Sequence, residues 1–429
     1  MVRPVPPSSQ GAGLAGQRFE YPRMNRTLLL AAAFAVLAFA SVGQAAETEA
    51  SARKIHESLL TLDTHLDTPA NFGRPGWDIL DRHDATKDGS QIDYPRMVEG
   101  GLDGGFFAIF TSQGPRTPEA TRAARDAALI RGVEIREMVA KHGDKFALAL
   151  KADDAAPIAA SGKRVVFMSI ENSYPIDGDV TLLSSFYALG VRISGLAHFK
   201  NNDMADSSTD KPEWHGLSPL GKSFVGEANR LGVVLDGSHS SDEVLDQLIS
   251  LSKTPVILTH SGCKAVFDHP RNVDDARIKA LAQSGGVIQV DAYSSYLIDT
   301  PKNPDREAAM AALMAKVGAR NKMSEDQRAA FMAERNAIDA KWPVTKATFQ
   351  DFMNHLNHAL KVAGVDHVGI GIDFDGGGGV TGLNDASDYW KISQALLAEG
   401  YTRADLEKIW SGNVLRLLRA AEAAKAPAG

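Results

Sequence analysis

The sequence predicts an α/β fold, a closed TIM-type (β/α)8 barrel. Three observations predict it. From Ser58 onward, short apolar runs alternate with longer Ala-rich helical stretches, which is the rhythm of a parallel sheet. Nine such runs follow one another, enough for eight barrel strands and one run outside them. No G-x-G-x-x-G follows the first run, which argues against the dinucleotide-binding version of an open, doubly wound sheet. A doubly wound open sheet of another kind is the structural alternative.

In order, the runs are 59–67, 104–112, 145–150, 164–172, 191–199, 232–239, 255–262, 286–293 and 367–375. Nothing in the sequence marks which of them is the extra one. Helical patterns lie between them, at 119–141, 219–231, 241–252, 274–283 and 346–363. Residues 299–345 break the rhythm. They are polar, Ala- and Met-rich, and read as a helical insertion between two late strands. Such an insertion is either a flap over the barrel mouth or an exposed decoration.

Composition narrows the function classes. The chain has 429 residues, 44% hydrophobic and 23% charged, which excludes wholesale disorder, collagen and coiled coil. Its formal charge is -7 and it has no Lys/Arg-rich run, so a nucleic-acid partner is not expected. A single cysteine, Cys263, rules out an intrachain disulfide. It is expected to be a small apolar filler beside His260.

The N-terminus reads as a targeting segment. Met24-Asn25-Arg26 precedes the apolar stretch 28–42, and small residues follow up to Ala46. That describes a secretory signal peptide over 24–45, with an apolar core short of the ~20 residues a membrane span needs. Residues 1–23 are rich in Pro, Gly and Ser and read as a mis-assigned start or a disordered extension. The expected product is one domain over 46–429, exported without a membrane anchor, most simply to a bacterial periplasm.

Barrel active sites collect side chains from the C-terminal ends of the strands. Of twelve histidines, His65, His198, His239 and His260 sit at such ends. The first run closes on Asp63-Thr64-His65-Leu66-Asp67. Side chains at i and i+2 of a strand point the same way, so His65 and Asp67 project together. Alone, that pair is equally a satisfied buried contact. The signal lies in repetition: Glu171, His239, His260 and Asp373 end four further runs. Two imidazoles with a carboxylate suit zinc, and a second such set suits a second zinc. His355 and His358, three apart on a predicted helix, lack a third ligand and read as an ordinary polar face.

These residues fall within a longer pattern. The segments 63–67 (DTHLD), 94–110 (YPRMVEGGLDGGFFAIF), 169–172 (SIEN), 195–202 (GLAHFKNN), 214–239, 255–261 (PVILTHS), 271–272 (RN), 369–376 (GIGIDFDG) and 412–418 (GNVLRLL) together resemble the membrane dipeptidase (renal dipeptidase) family of di-zinc peptidases. That family is a branch of the amidohydrolase-like barrels, and the resemblance runs from about Ile55 to Ala421. It implies a metal-dependent hydrolase that cleaves dipeptides with a hydroxide shared by two zinc ions. It implies His65 and Asp67 on one zinc, Glu171 bridging, and His239 and His260 on the other. His198 would steady the oxyanion, Arg271 would take the substrate's free carboxylate, and Asp373 would handle protons. Tyr293 would lie near the substrate, and a homodimer is also implied. Asn172-Ser173 stand where the animal enzymes have paired glycines, which bears on side-chain preference. Two other functions compete: a di-zinc amidohydrolase acting on N-acyl amino acids, lactones or β-lactams, and an exported solute-binding protein. Arg271 favours the dipeptidase over the first, and an intact ligand set favours an enzyme over the second.

Overall fold

The computed structural model describes residues 49–176, 178–317 and 323–426. The expected leader at 24–45 and the preceding extension lie outside the described residues. From Ala52 onward the chain forms one compact unit.

All nine apolar runs contain strands. They are β1 (Leu62–Leu66), β2 (Gly104–Phe110), β3 (Phe146–Leu148), β4 (Arg164–Glu171), β5 (Val191–Gly195), β6 (Val234–Asp236), β7 (Ile257–Ser261), β8 (Val287–Val290) and β9 (Val368–Ile370). Their apolar residues are almost all buried. Near-continuous Val, Ile, Leu and Phe is what strands covered on both faces require. Every pairing is parallel, in the order β1-β2-β4-β5-β6-β7-β8-β9. The ring closes through a parallel bridge between Leu66 and Phe374, with the Asp67 amide donating to the Phe374 carbonyl at 3.0 Å. The result is a nearly closed barrel of eight parallel strands.

The extra run is β3. It pairs only with Arg164, Val165 and Val166 at the start of β4, while β5 takes Met168 to Ile170 further along. Only Phe146 of its three residues is fully buried, whereas the equally short β6 and β9 are buried throughout and β6 is paired on both sides.

The inward residues at the N-terminal ends form a floor. Leu62, Phe106, Phe167, Ile193, Val234, Ile257 and Val287 cluster with Val414, Leu415 and Leu418 of the last helix, Asn413–Ala424. Full burial of each such side chain contributes roughly 1.5–3 kcal/mol. The helix Pro219–Leu231 shows how local signals set the rest. The Ser218 side chain accepts from the Gly221 amide, Pro219 opens the first turn, and Gly232 ends it at φ 76°.

The insertion between β8 and β9 holds two helices, Pro304–Lys316 and Glu325–Lys341. Leu313, Met323, Phe331 and Met332 give it a small core of its own. It leans on the segment after β1: Asn336 donates to the Thr86 carbonyl at 2.8 Å and Arg328 to the Asp88 carbonyl at 3.4 Å.

Candidate active site

The strand ends deliver the chemistry. Register slips occur in β1 between Asp63 and Leu66 and in β7 between Leu258 and Ser261, the stretches that carry His65 and His260. His239 and Asp373 lie three residues beyond β6 and β9 and take positive φ, 65° and 68°. Asn172, directly after Glu171, does so at 73°. Non-glycine residues in that region are uncommon and gather where surrounding contacts over-determine them.

Seven of the side chains singled out in the sequence meet at one point. The two oxygens of Glu171 face different partners. Oε2 lies 3.6 Å from His65 Nε2. Oε1 lies 3.0 Å from His239 Nε2 and 3.5 Å from both His260 Nε2 and His198 Nε2. His65 Nε2 is also 3.6 Å from Asp67 Oδ2 and 4.0 Å from Asp373 Oδ1. The Nε2 atoms of His239 and His260 are 2.9 Å apart. Three overlapping groups have the spacing to hold cations: His65, Glu171 and His260; Glu171, His198 and His239; His65, Asp67 and Asp373.

The donor set fits divalent metal. His65 Nε2 and Asp67 Oδ1 are buried and have no hydrogen-bond partner. Imidazole nitrogen with carboxylate oxygen is zinc-type chemistry. The electrostatics point the same way. Burial works against charge on Glu171, yet the surrounding imidazoles outweigh it and hold the carboxyl well below the usual range. Burial, then the nearby Arg271, keep His239 well below ordinary histidine. Burial, then His65, do the same for His260. Asp373 is pushed well above the usual carboxylate range by burial and by Asp67.

These groups open into a cavity of about 430 Å³. Tyr293 lines it and stacks on Tyr296, ring centres 4.4 Å apart. Arg271 is buried just behind and is not a lining residue itself. One guanidinium nitrogen donates to the His260 carbonyl at 3.0 Å, the group sits 5.1 Å over the Tyr296 ring, and Nε has no partner. Gly376 passes so close that a Cβ there would stand 2.0 Å from Asp67 Oδ2 and 2.3 Å from Asp373 Oδ1. Only glycine permits that approach.

A search for titratable groups at strand ends missed part of the wall. Phe110, Gln113, Phe199, Lys200 and Tyr296 also line the cavity. Phe110 ends β2 and Phe199 follows His198, so the same strand-end rule, applied to aromatics, would have found both. No described residue of the insertion lines the cavity. The insertion braces the loop that carries Asp67 and Ala70. Asp375 lines the cavity and anchors that loop, accepting from Thr68 Oγ1 at 2.8 Å and the Gln91 amide at 2.6 Å. His355 and His358 bind no common atom. His355 accepts from the Cys263 amide at 3.0 Å, and His358 meets Asp275 at 2.7 Å. Cys263 is buried, its thiol pushed up to about 12 by burial.

Comparison with known proteins bears on this site. The profile of the family described as Membrane dipeptidase (Peptidase family M19) matches residues 49–428. Dipeptidase tcpJ of Claviceps purpurea is 31% identical over 351 residues, covering 80% of this chain and 72% of that one. The crystal structure of the probable dipeptidase PvdM from Pseudomonas aeruginosa superposes with a TM-score of 0.74 at 31% identity, over 88% of this chain and 99% of that one. An amidohydrolase from the same species shares the fold, with a TM-score of 0.62 at 18% identity over 86% and 98% of the two chains.

Proposed function

The chain belongs to the membrane dipeptidase family of metallopeptidases, and we propose that it is a two-zinc dipeptidase acting on dipeptides with a free C-terminal carboxylate. One observation carries the two-metal reading. Glu171 turns one oxygen to His65 and the other to His239 and His260, as a carboxylate bridging two cations would. His65 and Asp67 would hold the first zinc, His239 and His260 the second. Bound there, two zinc ions would lower the pKa of a water between them and polarise the scissile carbonyl.

The chain's own groups supply the rest. Asp373, beside His65 and Asp67, takes the proton of the attacking water and returns it to the leaving amine. His198 Nε2, 3.5 Å from Glu171 Oε1, stands at the cavity wall where a hydrogen-bond donor meets charge developing on the carbonyl oxygen. Arg271 anchors the substrate carboxylate, because a planar guanidinium binds it bidentately and its Nε is unsatisfied. Tyr293 closes the side of the cavity next to Asp373. Among the described residues no helix is long and apolar enough to cross a membrane. We assign the protein to the periplasm on the leader at 24–45.

Metal analysis of the purified protein should return close to two zinc equivalents, and a chelator should abolish dipeptide hydrolysis until zinc is restored. Activity with no bound metal would end this reading. Amidated dipeptides and longer peptides should be poor substrates. Arg271→Ala should weaken substrate binding by roughly 2–5 kcal/mol if the pair is buried. Equal turnover of free and amidated dipeptides would remove the anchor.

A further inference from the structure

We infer that Thr259 is a positioning residue: its hydroxyl, held by Asp236, fixes the ring of His260 so that Nε2 presents a bare lone pair to the site. The inference rests on the reading of His260 as a metal ligand.

Thr259 precedes His260 on β7 and is fully buried. Its Oγ1 lies 2.5 Å from Asp236 Oδ2 and 3.0 Å from His260 Nδ1. A hydroxyl has one proton to give. A carboxylate has none, and Asp236 Oδ1 already accepts from the amides of Ser238 at 2.9 Å and Thr259 at 3.0 Å. The hydroxyl proton therefore goes to Asp236 Oδ2. Among the described residues, the other hydroxyl in reach, Ser238 Oγ, is 3.4 Å away and does not compete with the 2.5 Å contact.

That leaves the Thr259 oxygen as an acceptor toward His260. Nδ1 of His260 must then carry the ring proton, and in a neutral imidazole the other nitrogen is bare. The bare nitrogen is Nε2, the atom facing Glu171 Oε1 and His239 Nε2. A ligating histidine needs that state, and its other N–H typically goes to an outer group that fixes the ring. Here the outer group is a hydroxyl backed by a carboxylate. The amide of His260 is pinned as well, donating to Ser238 Oγ at 3.2 Å. His239 has no such brace, since its Nδ1 is buried without a partner. The two imidazoles of the second half-site are thus unequal, and His260 is the one set in advance.

Three variants separate positioning from packing. Thr259→Val keeps the branched shape and removes the hydroxyl. Thr259→Ser keeps the hydroxyl and removes the methyl. In Asp236→Asn the amide oxygen can still take the two backbone N–H groups. Its nitrogen then donates to Thr259 and frees the hydroxyl proton for His260 Nδ1, which reverses the tautomer. Two readouts apply: zinc affinity by competition with a chromogenic chelator, and side-chain ¹⁵N shifts of His260 in the metal-free protein.

The parent should show the Nδ1–H tautomer. Thr259→Val should lose zinc affinity about 10–100-fold at one site, with its far-UV circular dichroism unchanged, and Thr259→Ser should stay within about threefold of the parent. Asp236→Asn should show Nε2–H. Parent affinity and parent tautomer in Thr259→Val would overturn the inference, as would a Ser variant that behaves like Val. Should Thr259→Val not fold, Asp236→Asn decides, and Nδ1–H there overturns it. A parent that binds no zinc sinks the metal reading alone, and the tautomers still decide the role of Thr259.

Discussion

The barrel mouth and the helical insertion beside it are both rich in charged side chains, and they treat charge in opposite ways. In the insertion the pairs Arg306–Asp339 and Lys316–Glu334, at 2.6 and 2.7 Å, lie near or at the surface. Such pairs are worth about 0–1 kcal/mol each. At the mouth, Asp67, Glu171 and Asp373 are all less than a tenth exposed, and their close partners are imidazoles. Removing an ion from water costs several kcal/mol even after relaxation. A fold that concentrates that cost at one rim, while nearby charges stay wet, marks the rim as the place where a cation belongs.

The comparison breaks most visibly at a proposed ligand. His239→Ala should strip zinc and abolish turnover, checked by metal analysis beside a dipeptide assay. Retained zinc with retained activity would show that the buried cluster is only packing. Asp373→Asn should keep the parent's metal content and melting temperature yet lower kcat about 10²–10⁴-fold, the usual contribution of a positioned general base. Loss of zinc in that variant would make Asp373 a ligand; an unchanged rate would pass the proton-transfer role to another group, Tyr293 first.

The insertion should respond differently. Phe331→Ala empties its small core and should cost about 3–5 kcal/mol locally. Because no described residue of the insertion lines the cavity, kcat should move by less than about threefold. Faster proteolysis within 304–341 with intact turnover is the expected result, and a collapse of kcat would make the insertion part of the site.

A buried ionisable group far from the mouth supplies the last contrast. His56 donates from Nε2 to the Gly100 carbonyl at 2.9 Å and accepts from Ser393 Oγ at 2.8 Å, and burial lowers it to about 4. The folded protein keeps it neutral down to that pH, while the unfolded chain protonates it near 6.5. Its contribution is therefore whole above 6.5 and drains as pH falls toward 4. The stability gap between the parent and His56→Asn should narrow across that window by about 3 kcal/mol. Denaturant titrations at pH 7.5 and 4.5 check this, and a constant gap would mean that His56 titrates alike in the folded and unfolded chains.

The wall of the barrel was legible because strands buried on both faces leave long apolar runs. The ends of those runs were not. The run 191–199 yields a strand only to Gly195, and 367–375 one only to Ile370. Beyond those points the backbone turns to aim His198 and Asp373, and a sequence shows apolar content without showing φ. The displacement of β3 was equally invisible, since 145–150 is as apolar as its neighbours and only its pairing with the first half of β4 sets it aside. The metal-type residues were visible as imidazoles and carboxylates recurring at run ends. Thr259 and Tyr296 carry no such mark, and their place follows from what the folded chain puts beside them.

The carboxylate of Asp63 accepts from the His65 amide at 2.8 Å, from the Ile372 amide at 3.0 Å and from the Tyr389 hydroxyl at 2.7 Å. The last two partners lie 309 and 326 residues further along. One side chain thus ties the strand that carries His65 to the segment that follows the last strand. A chain still emerging, or one cut before Ile372, holds Asp63 with two of its three bonds missing and the wall open beside His65. Completion of the chain and assembly of the rim around His65 become one event, so a half-made copy has no finished cluster with which to capture a cation.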